Sequence, residues 1–179
     1  MASWGKLAQK TRVPAGTLLG LVFLWRMHPS IRSLWMGGAV SLGGAVLRVW
    51  AAGHIDKGRI IAQGGPYAFT RNPLYLGSFI MAIGVLLAGQ SYWLLIPFGV
   101  FFLGFYYPVM KAEEQEMLQG HGEVFAEYAN KVPFFFPSSR AAVRSSSTFL
   151  WSRVFKNREH RTVAGMILAE TFLILKILQ

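Results

Sequence analysis

The stretch Gly64-Gly65-Pro66-Tyr67-Ala68-Phe69-Thr70-Arg71-Asn72-Pro73-Leu74-Tyr75-Leu76-Gly77 sets the architecture. Gly64-Gly65-Pro66 forces a turn, because glycine reaches backbone angles closed to other residues and proline fixes its own. Asn72-Pro73 then predicts a helix start, asparagine as the cap and proline as the first helical residue. From Leu74 to about Gly89 no charged residue interrupts the apolar run, so this helix suits an apolar surrounding. Its N-terminus falls at the polar boundary with Arg71 beside it. Backbone amides, the helix dipole and a guanidinium converge there, which makes an anion site.

Toward the C-terminus, Gln90-Ser91 is a tight uncharged turn, and a fourth apolar segment runs from about Tyr92 to Met110. The two segments form a helical hairpin. The fourth therefore ends on the side where the third begins, and continues into Lys111-Ala112-Glu113-Glu114-Gln115-Glu116-Met117-Leu118. Carboxylates approach the cationic mouth, so one pocket carries an anion site and a cation site. A zwitterionic amino-acid moiety attached to a sulfonium fits such a pocket. Taken singly, each piece reads as an ordinary turn, cap or solvated helix face; their order and spacing carry the argument.

Toward the N-terminus lie two more apolar segments, about Val13–Met27 and about Ile31–Gly53, the latter with Arg48 near its end. A fifth, about Thr162–Leu178, is interrupted by Glu170 and Lys176. The expected fold is an all-α, multi-pass transmembrane helical bundle of about five helices. Spans of this kind need roughly 20 apolar residues to cross a ~30 Å hydrocarbon core. Gly37, Ser41 and Ala45 form a small-residue ridge on the second segment, and Gly77, Gly84 and Ala88 share a face on the third, the spacing for close helix packing in lipid. Lys6, Lys10 and Arg12 before an apolar run resemble the start of a secretory signal. The sequence after it, Arg26-Met27-His28-Pro29, offers no small-residue cleavage site, so the segment reads as a retained first membrane helix. The chain divides into 1–53, two membrane helices; 54–137, a core of loop, hairpin and polar helix; and 138–179, a basic linker and a last apolar helix.

Composition supports this reading. Of 179 residues 53% are hydrophobic and only 15% charged, and the mean hydropathy is +0.38; a soluble domain needs more surface charge. The formal net charge of +10 sits in the gaps between apolar runs. That is the pattern of loops facing an anionic leaflet, with membrane lipids as partners, and it argues against a nucleic-acid binder, which gathers its charge in a stripe on a soluble module. There is no cysteine, which excludes disulfides and thiolate chemistry. His28, His54, His121 and His160 include no i, i+4 pair, so no histidine metal site is expected. The N-terminus, the 54–73 loop and the region after Met110 are basic while the Gln90-Ser91 turn is not, although Arg26 and Arg32 flank the first turn. The expected topology puts the N-terminus, the long loop and the 111–161 region, with the pocket, in the cytoplasm.

The order Gly-Pro-Tyr (66 and 67 at its end), Arg71-Asn72-Pro73-Leu74-Tyr75-Leu76-Gly77, a hairpin, Glu113-Glu114 with Leu118, Gly122-Glu123 with Phe125 and Tyr128, then Val132-Pro133, resembles the isoprenylcysteine carboxyl methyltransferase and phospholipid methyltransferase superfamily. The likeness covers about residues 53–137. It implies an S-adenosylmethionine-dependent methyltransferase acting on a lipophilic small-molecule or lipid-like acceptor. The implied cofactor site comprises Arg59, Ile60, Ile61, Ala62, Tyr67, Asn72, Pro73, Leu74, Tyr75 and Glu113, with Arg71 as the candidate catalytic side chain. Two departures stand out. Asn72 replaces a histidine found in one form of the motif, which removes a titrating role there. Val109 replaces the substrate-binding arginine that prenylcysteine-specific members carry four residues before the matching glutamate, which leaves the acceptor open. Two other readings share the hydropathy: a membrane reductase of the sterol type, with a nicotinamide cofactor, and a non-enzymatic scaffold or lipid-binding bundle.

Overall fold

In a computed structural model the described residues are 2–56, 61–138 and 147–179. Among them there is no strand. The protein is an all-α membrane helical protein, with α1 (Ala2–Arg26), α2 (Ile31–His54), α3 (Pro73–Ala88), α4 (Leu95–Phe101), α5 (Tyr107–Lys131), α6 (Trp151–Lys156) and α7 (Glu159–Ile177). A short 3-10 turn, Gly65–Ala68, precedes α3, and another, Tyr92–Leu94, opens α4. Between α4 and α5 lies a π-helical turn, Phe102–Tyr106, in which the Tyr107 amide donates to the Phe102 carbonyl five residues back. The stretch Tyr92–Lys131 thus runs helically over 40 residues, interrupted by non-helical backbone at Gly122.

Helices occupy all five expected places. Two of them, Ile31–His54 and Tyr92–Lys131, are long and apolar enough to cross a membrane, and Pro73–Ala88 is a shorter apolar helix. α1 carries its charges before Val13 and at Arg26, and α7 interleaves charge with apolar residues. The expected first segment began at Val13, but α1 begins at Ala2. Apolarity marks where a span begins, whereas Leu7-Ala8-Gln9-Lys10 are strong helix formers that prolong the helix into polar sequence. α6 has no counterpart in the sequence reading.

The centre of the bundle is the antiparallel pair α2 and α3. The small-residue ridges meet here. A Cβ on Gly44 would stand 2.6 Å from the Gly77 carbonyl oxygen, and a Cβ on Gly37 would overlap the backbone of Ala88. The backbones approach so closely that hydrogen gains over methyl, the source of helix association where lipid offers no hydrophobic drive. Ser41 Oγ donates to the Met81 carbonyl at 3.1 Å, and Ser33 Oγ to the Ala88 carbonyl at 2.8 Å. Ser30 and Ser33 cap α2 reciprocally, each side chain accepting from the other's amide. The α1–α2 and α3–α4 turns are tied together at the same end: the His28 amide donates to the Gly89 carbonyl at 2.9 Å. Lys176 of α7 reaches the same place and donates to the Trp25 and Met27 carbonyls at 2.8 and 2.6 Å, satisfying the otherwise open end of α1.

At the opposite end, α2, α3 and α7 converge on a buried ion pair. Arg48 grips Glu159 with two bonds of 2.8 Å, from Nε and Nη2, and its third nitrogen donates to the Leu74 carbonyl at 3.0 Å and to Ser78 Oγ. The Glu159 side chain is 5% exposed. Removing either partner would strand a charge, so the pair locks the three helix ends in one geometry.

Candidate functional site

The segment before α3 is stitched to the chain that follows α5. The Arg71 amide donates to the Pro133 carbonyl at 2.9 Å, Thr70 Oγ1 to the Phe135 carbonyl at 2.8 Å, and the Ser138 amide to the Phe69 carbonyl at 3.1 Å. α5 can deliver residues 132–138 to this place because it kinks at Gly122, whose backbone (φ 50, ψ −126) lies in a region closed to most side chains. Beyond the kink Phe125, Tyr128 and Val132 form a small core with Ile61 against it. The Tyr128 hydroxyl donates to the Tyr67 carbonyl at 2.8 Å, fixing the turn that opens the site.

Asn72 stands at the cap position of α3, yet its side chain makes no capping bond. Its Nδ2 instead donates to the Phe134 carbonyl at 2.9 Å. The expectation of an asparagine cap is corrected in this respect: the Phe134 carbonyl, brought in by tertiary folding, takes the Nδ2 bond while Oδ1 accepts from no helix amide. The first turn of α3 is left without the side-chain acceptor that the sequence provides.

Two acid–base contacts face each other across the hairpin. Arg71 pairs with Glu114 at 2.6 Å, each side chain 15% exposed. The Tyr75 hydroxyl donates to Glu113 Oε1 at 2.7 Å, and Arg12 Nη1 donates to the same hydroxyl at 2.6 Å. Arg12 lies 3.9 Å from Glu113, whose side chain is 41% exposed. Adjacent glutamates thus take different partners, Glu114 tied to Arg71 and Glu113 turned to the half-open mouth. Tyr106, at the end of the π turn, packs edge-on against Tyr75 with ring centroids 6.0 Å apart.

Tyr67 is buried, and its hydroxyl has no hydrogen-bond partner among the described residues; neither has the buried Nε of Arg71. Burial pushes the Tyr67 phenol above its ordinary range, with further upward pushes from Tyr128, Glu159 and Glu113 against a downward pull from Arg48. A neutral donor so placed, close to both acids, is an unmet bond of the kind a polar ligand satisfies. His54 lines the same neighbourhood: its Nδ1 lies 2.9 Å from the Trp50 carbonyl, and its ring fills the space beside Gly65, whose φ of +58 only glycine takes easily. A groove of about 330 Å³ opens beside Arg71, Asn130, Lys131 and Ser138.

Of the residues expected at the site, Tyr67, Arg71, Asn72, Pro73, Leu74, Tyr75 and Glu113 come together at this end of the bundle. Leu74 contributes its carbonyl to Arg48, and Pro73 is buried. Ile61 packs with the Tyr128 cluster, and Ala62 follows it in chain order. Arg59 and Ile60 lie outside the described residues. Arg12, Arg48, Glu114 and Tyr106 were not singled out as site residues. Arg48 carried a signal, since a charge within an apolar helix is by default functional. Arg12 carried one too, heading a Gly16, Gly20 stripe at i+4 spacing.

The sequence profile of the phospholipid methyltransferase family matches residues 33–123. A nickel-cobalt-cadmium resistance protein of Alcaligenes xylosoxydans xylosoxydans is 29% identical over 139 residues, covering 73% of this chain and 64% of that one. A cobalt-zinc-cadmium resistance protein of Cupriavidus metallidurans is 32% identical over 113 residues, covering 62% of this chain and 51% of that one. The chain therefore spans between half and two thirds of the length of these relatives. No solved structure matches.

Proposed function

The chain belongs to the phospholipid methyltransferase family, and from that premise we propose that it transfers a methyl group from S-adenosylmethionine to a lipophilic acceptor at the cytoplasmic face of a membrane. The observation that carries this reading is that the half-exposed Glu113 and a buried, unpartnered Tyr67 hydroxyl feel each other electrostatically at the mouth of the α3–α5 hairpin. S-adenosylmethionine carries an ammonium and a carboxylate, with ribose hydroxyls, and when bound supplies a methyl group already activated on a sulfonium. Glu113 would take the ammonium or the ribose hydroxyls. The uncapped first turn of α3 would take the carboxylate, with Arg71 beside it. Tyr67 would gain the partner it lacks. Ile61, Ala62, Asn72, Pro73, Leu74 and Tyr75, with Arg59 and Ile60, would line the rest.

The chain's own task is then alignment and exclusion of water, worth up to ~7–11 kcal/mol of a barrier when two reactants are held in line. Arg71 would hold developing or resident negative charge in place while Glu114 keeps its guanidinium oriented. The relatives' names point to tolerance of metal ions. In this reading a part in metal tolerance would run through a methylated membrane component.

Membranes containing the protein, incubated with isotopically labelled S-adenosylmethionine, should yield a labelled lipophilic product by mass spectrometry. Absence of any labelled product, together with no binding of S-adenosylhomocysteine by the folded protein, would leave the scaffold reading standing.

A further inference from the structure

At the end of α2 nearest the candidate site, α6 runs across the last helical turn instead of continuing it. The Leu150 amide, just ahead of α6, donates to the Gly53 carbonyl at 3.0 Å. Asn157, just past α6, donates from Nδ2 to the Ala52 and Ile55 carbonyls at 3.1 and 3.3 Å. Both ends of this six-residue helix are thus tied to one turn of α2, and α6 lies where that membrane helix ends. Its inner side is closed: Val154 is buried, and the Phe149 ring occupies the place of a Cβ on Gly53. Its outer side carries Trp151 and Phe155, one helical turn apart and each 63% exposed. Rings join this side to the body in an edge-on row, Trp50–His54–Phe149–Trp151, with centroids 6.3, 5.8 and 5.1 Å apart. Trp50 is itself partly exposed on α2, so indoles mark this end of the bundle on two elements. Tryptophan side chains settle at the headgroup level of a bilayer.

The charge around these rings has one sign. Between Ser147 and Arg161 the ionised side chains are Arg153, Lys156, Arg158, Glu159 and Arg161, and Glu159 is buried against Arg48. Lys156 bridges Asp56 at 3.0 Å yet stays largely exposed. Arg158 and Arg161 are exposed, Arg158 on the left-handed backbone (φ 58) that turns the chain from α6 into α7. We propose that α6 and the α6–α7 turn form a docking surface for the anionic lipid headgroups of the leaflet, with Trp151 and Phe155 entering the interface and Lys156 and Arg158 meeting lipid phosphates. The surface stands apart from the methyl-transfer reading and does not depend on it. The cations supply attraction to a negative leaflet, a term that salt weakens. The rings supply depth, because their burial in the headgroup region adds apolar area to the contact. A soluble acidic partner would use the same cations but would need this side turned to water.

The chain has no cysteine, so Ser152→Cys, at an exposed position of α6, takes a single nitroxide. In the full chain, in nanodiscs of phosphatidylcholine mixed with phosphatidylglycerol, oxygen should relax that nitroxide more than a water-soluble nickel chelate does. Trp151→Ser combined with Phe155→Ser should reverse the order. Photoactivatable phosphatidylglycerol and phosphatidylcholine, reactive next to the head group and added in trace to phosphatidylcholine discs, should label the 147–161 peptide unequally, the anionic probe several-fold more. Arg158→Asn and Lys156→Gln should each cut that preference by up to about fivefold. Asparagine tolerates the left-handed backbone at 158, so the charge is removed without added strain. Equal labelling by the two probes, or a preference untouched by both substitutions, would overturn the proposal. So would a nitroxide fully open to the nickel chelate, the result expected of a face turned to water and a soluble partner. Salt provides the check that needs no variant: a preference that persists undiminished at ~1 M salt, where the screening length is about 3 Å, also counts against it.

Discussion

The Tyr75 hydroxyl donates a hydrogen bond to Glu113 Oε1 at 2.7 Å, joining the first turn of α3 to the far arm of the hairpin. Because Arg12 donates to the same hydroxyl, three helices report to one phenol. Glu113 is thereby oriented while its other oxygen remains for a ligand. Glu113→Gln should weaken S-adenosylhomocysteine binding by about one to two decades, since charge-assisted contacts contribute roughly 1.5–3 kcal/mol and a decade is ~1.4 kcal/mol. Glu116→Gln should leave it unchanged. Calorimetric titration in detergent compares them, and equal affinity for wild type and Glu113→Gln would remove Glu113 from the site.

Tyr67→Phe separates ligand binding from folding. Its hydroxyl is buried without a partner, so the ligand-free variant should melt at or slightly above the wild-type temperature. Its affinity for S-adenosylhomocysteine should fall about tenfold, one charge-free hydrogen bond to a buried group. The pH dependence follows from the raised phenol. Its contribution is fully present below about pH 10, the ordinary phenol value, and is lost as pH rises beyond it, because the unfolded state gives up its proton first. Wild type should therefore lose stability in strong alkali more steeply than Tyr67→Phe. A loss of ligand-free stability at neutral pH would mean that the hydroxyl is already satisfied.

Arg48 and Glu159 should behave as a unit. Glu159→Gln or Arg48→Met alone leaves a charge stranded in a nearly closed environment and should cost about 3–5 kcal/mol. Arg48→Met with Glu159→Leu should recover much of that loss. Thermal unfolding in detergent of the two singles and the double gives the coupling; additive losses would show two independent surface contacts.

The α2–α3 contact gives a paired test. Gly37→Val places side-chain atoms inside the backbone of Ala88 and should abolish the folded, monodisperse protein. Gly43→Ala, one turn and a half along the same helix, meets nothing within 4 Å and should be neutral or stabilising by up to ~1 kcal/mol. Size-exclusion profiles and melting temperatures decide it.

A reporter placed after Pro137 should read cytoplasmic and one inserted at Gln90-Ser91 external, from the charge bias of the loops. The opposite result would turn the mouth of the hairpin toward the wrong compartment and overturn the proposed cofactor supply.

The hairpin, its turn and the glycine ridges were legible because they rest on local rules: proline and glycine punctuation, unbroken apolarity, and small residues at helical spacing. Glu113 was legible through the order of motifs around it. Glu114 was not, since consecutive helical residues point ~100° apart and only folding shows which one meets Arg71. Asn72 illustrates the opposite failure. Its local preference to cap was read correctly, but the Phe134 carbonyl lies 62 residues away and no local rule anticipates it. Arg12 was missed because hydropathy ends where charge begins, while α1 does not. The bend at Gly122 did carry a local signal, Gly120-His121-Gly122 in a polar stretch, which was not read as a break.

The π turn at Phe102–Tyr106 holds its carbonyl–amide bonds one residue wider than the helix on either side. That wider turn takes up one residue more than an α turn. Were it to tighten into regular α-helix with no residue removed, everything beyond would swing by about 100° about the axis, carrying Glu113 away from Tyr75 while the aromatic wall ahead of the turn stayed where it is. The gearing between that wall and the polar mouth is thus stored in the winding of one turn, and a change of winding there would uncouple the two without altering a single side chain of either.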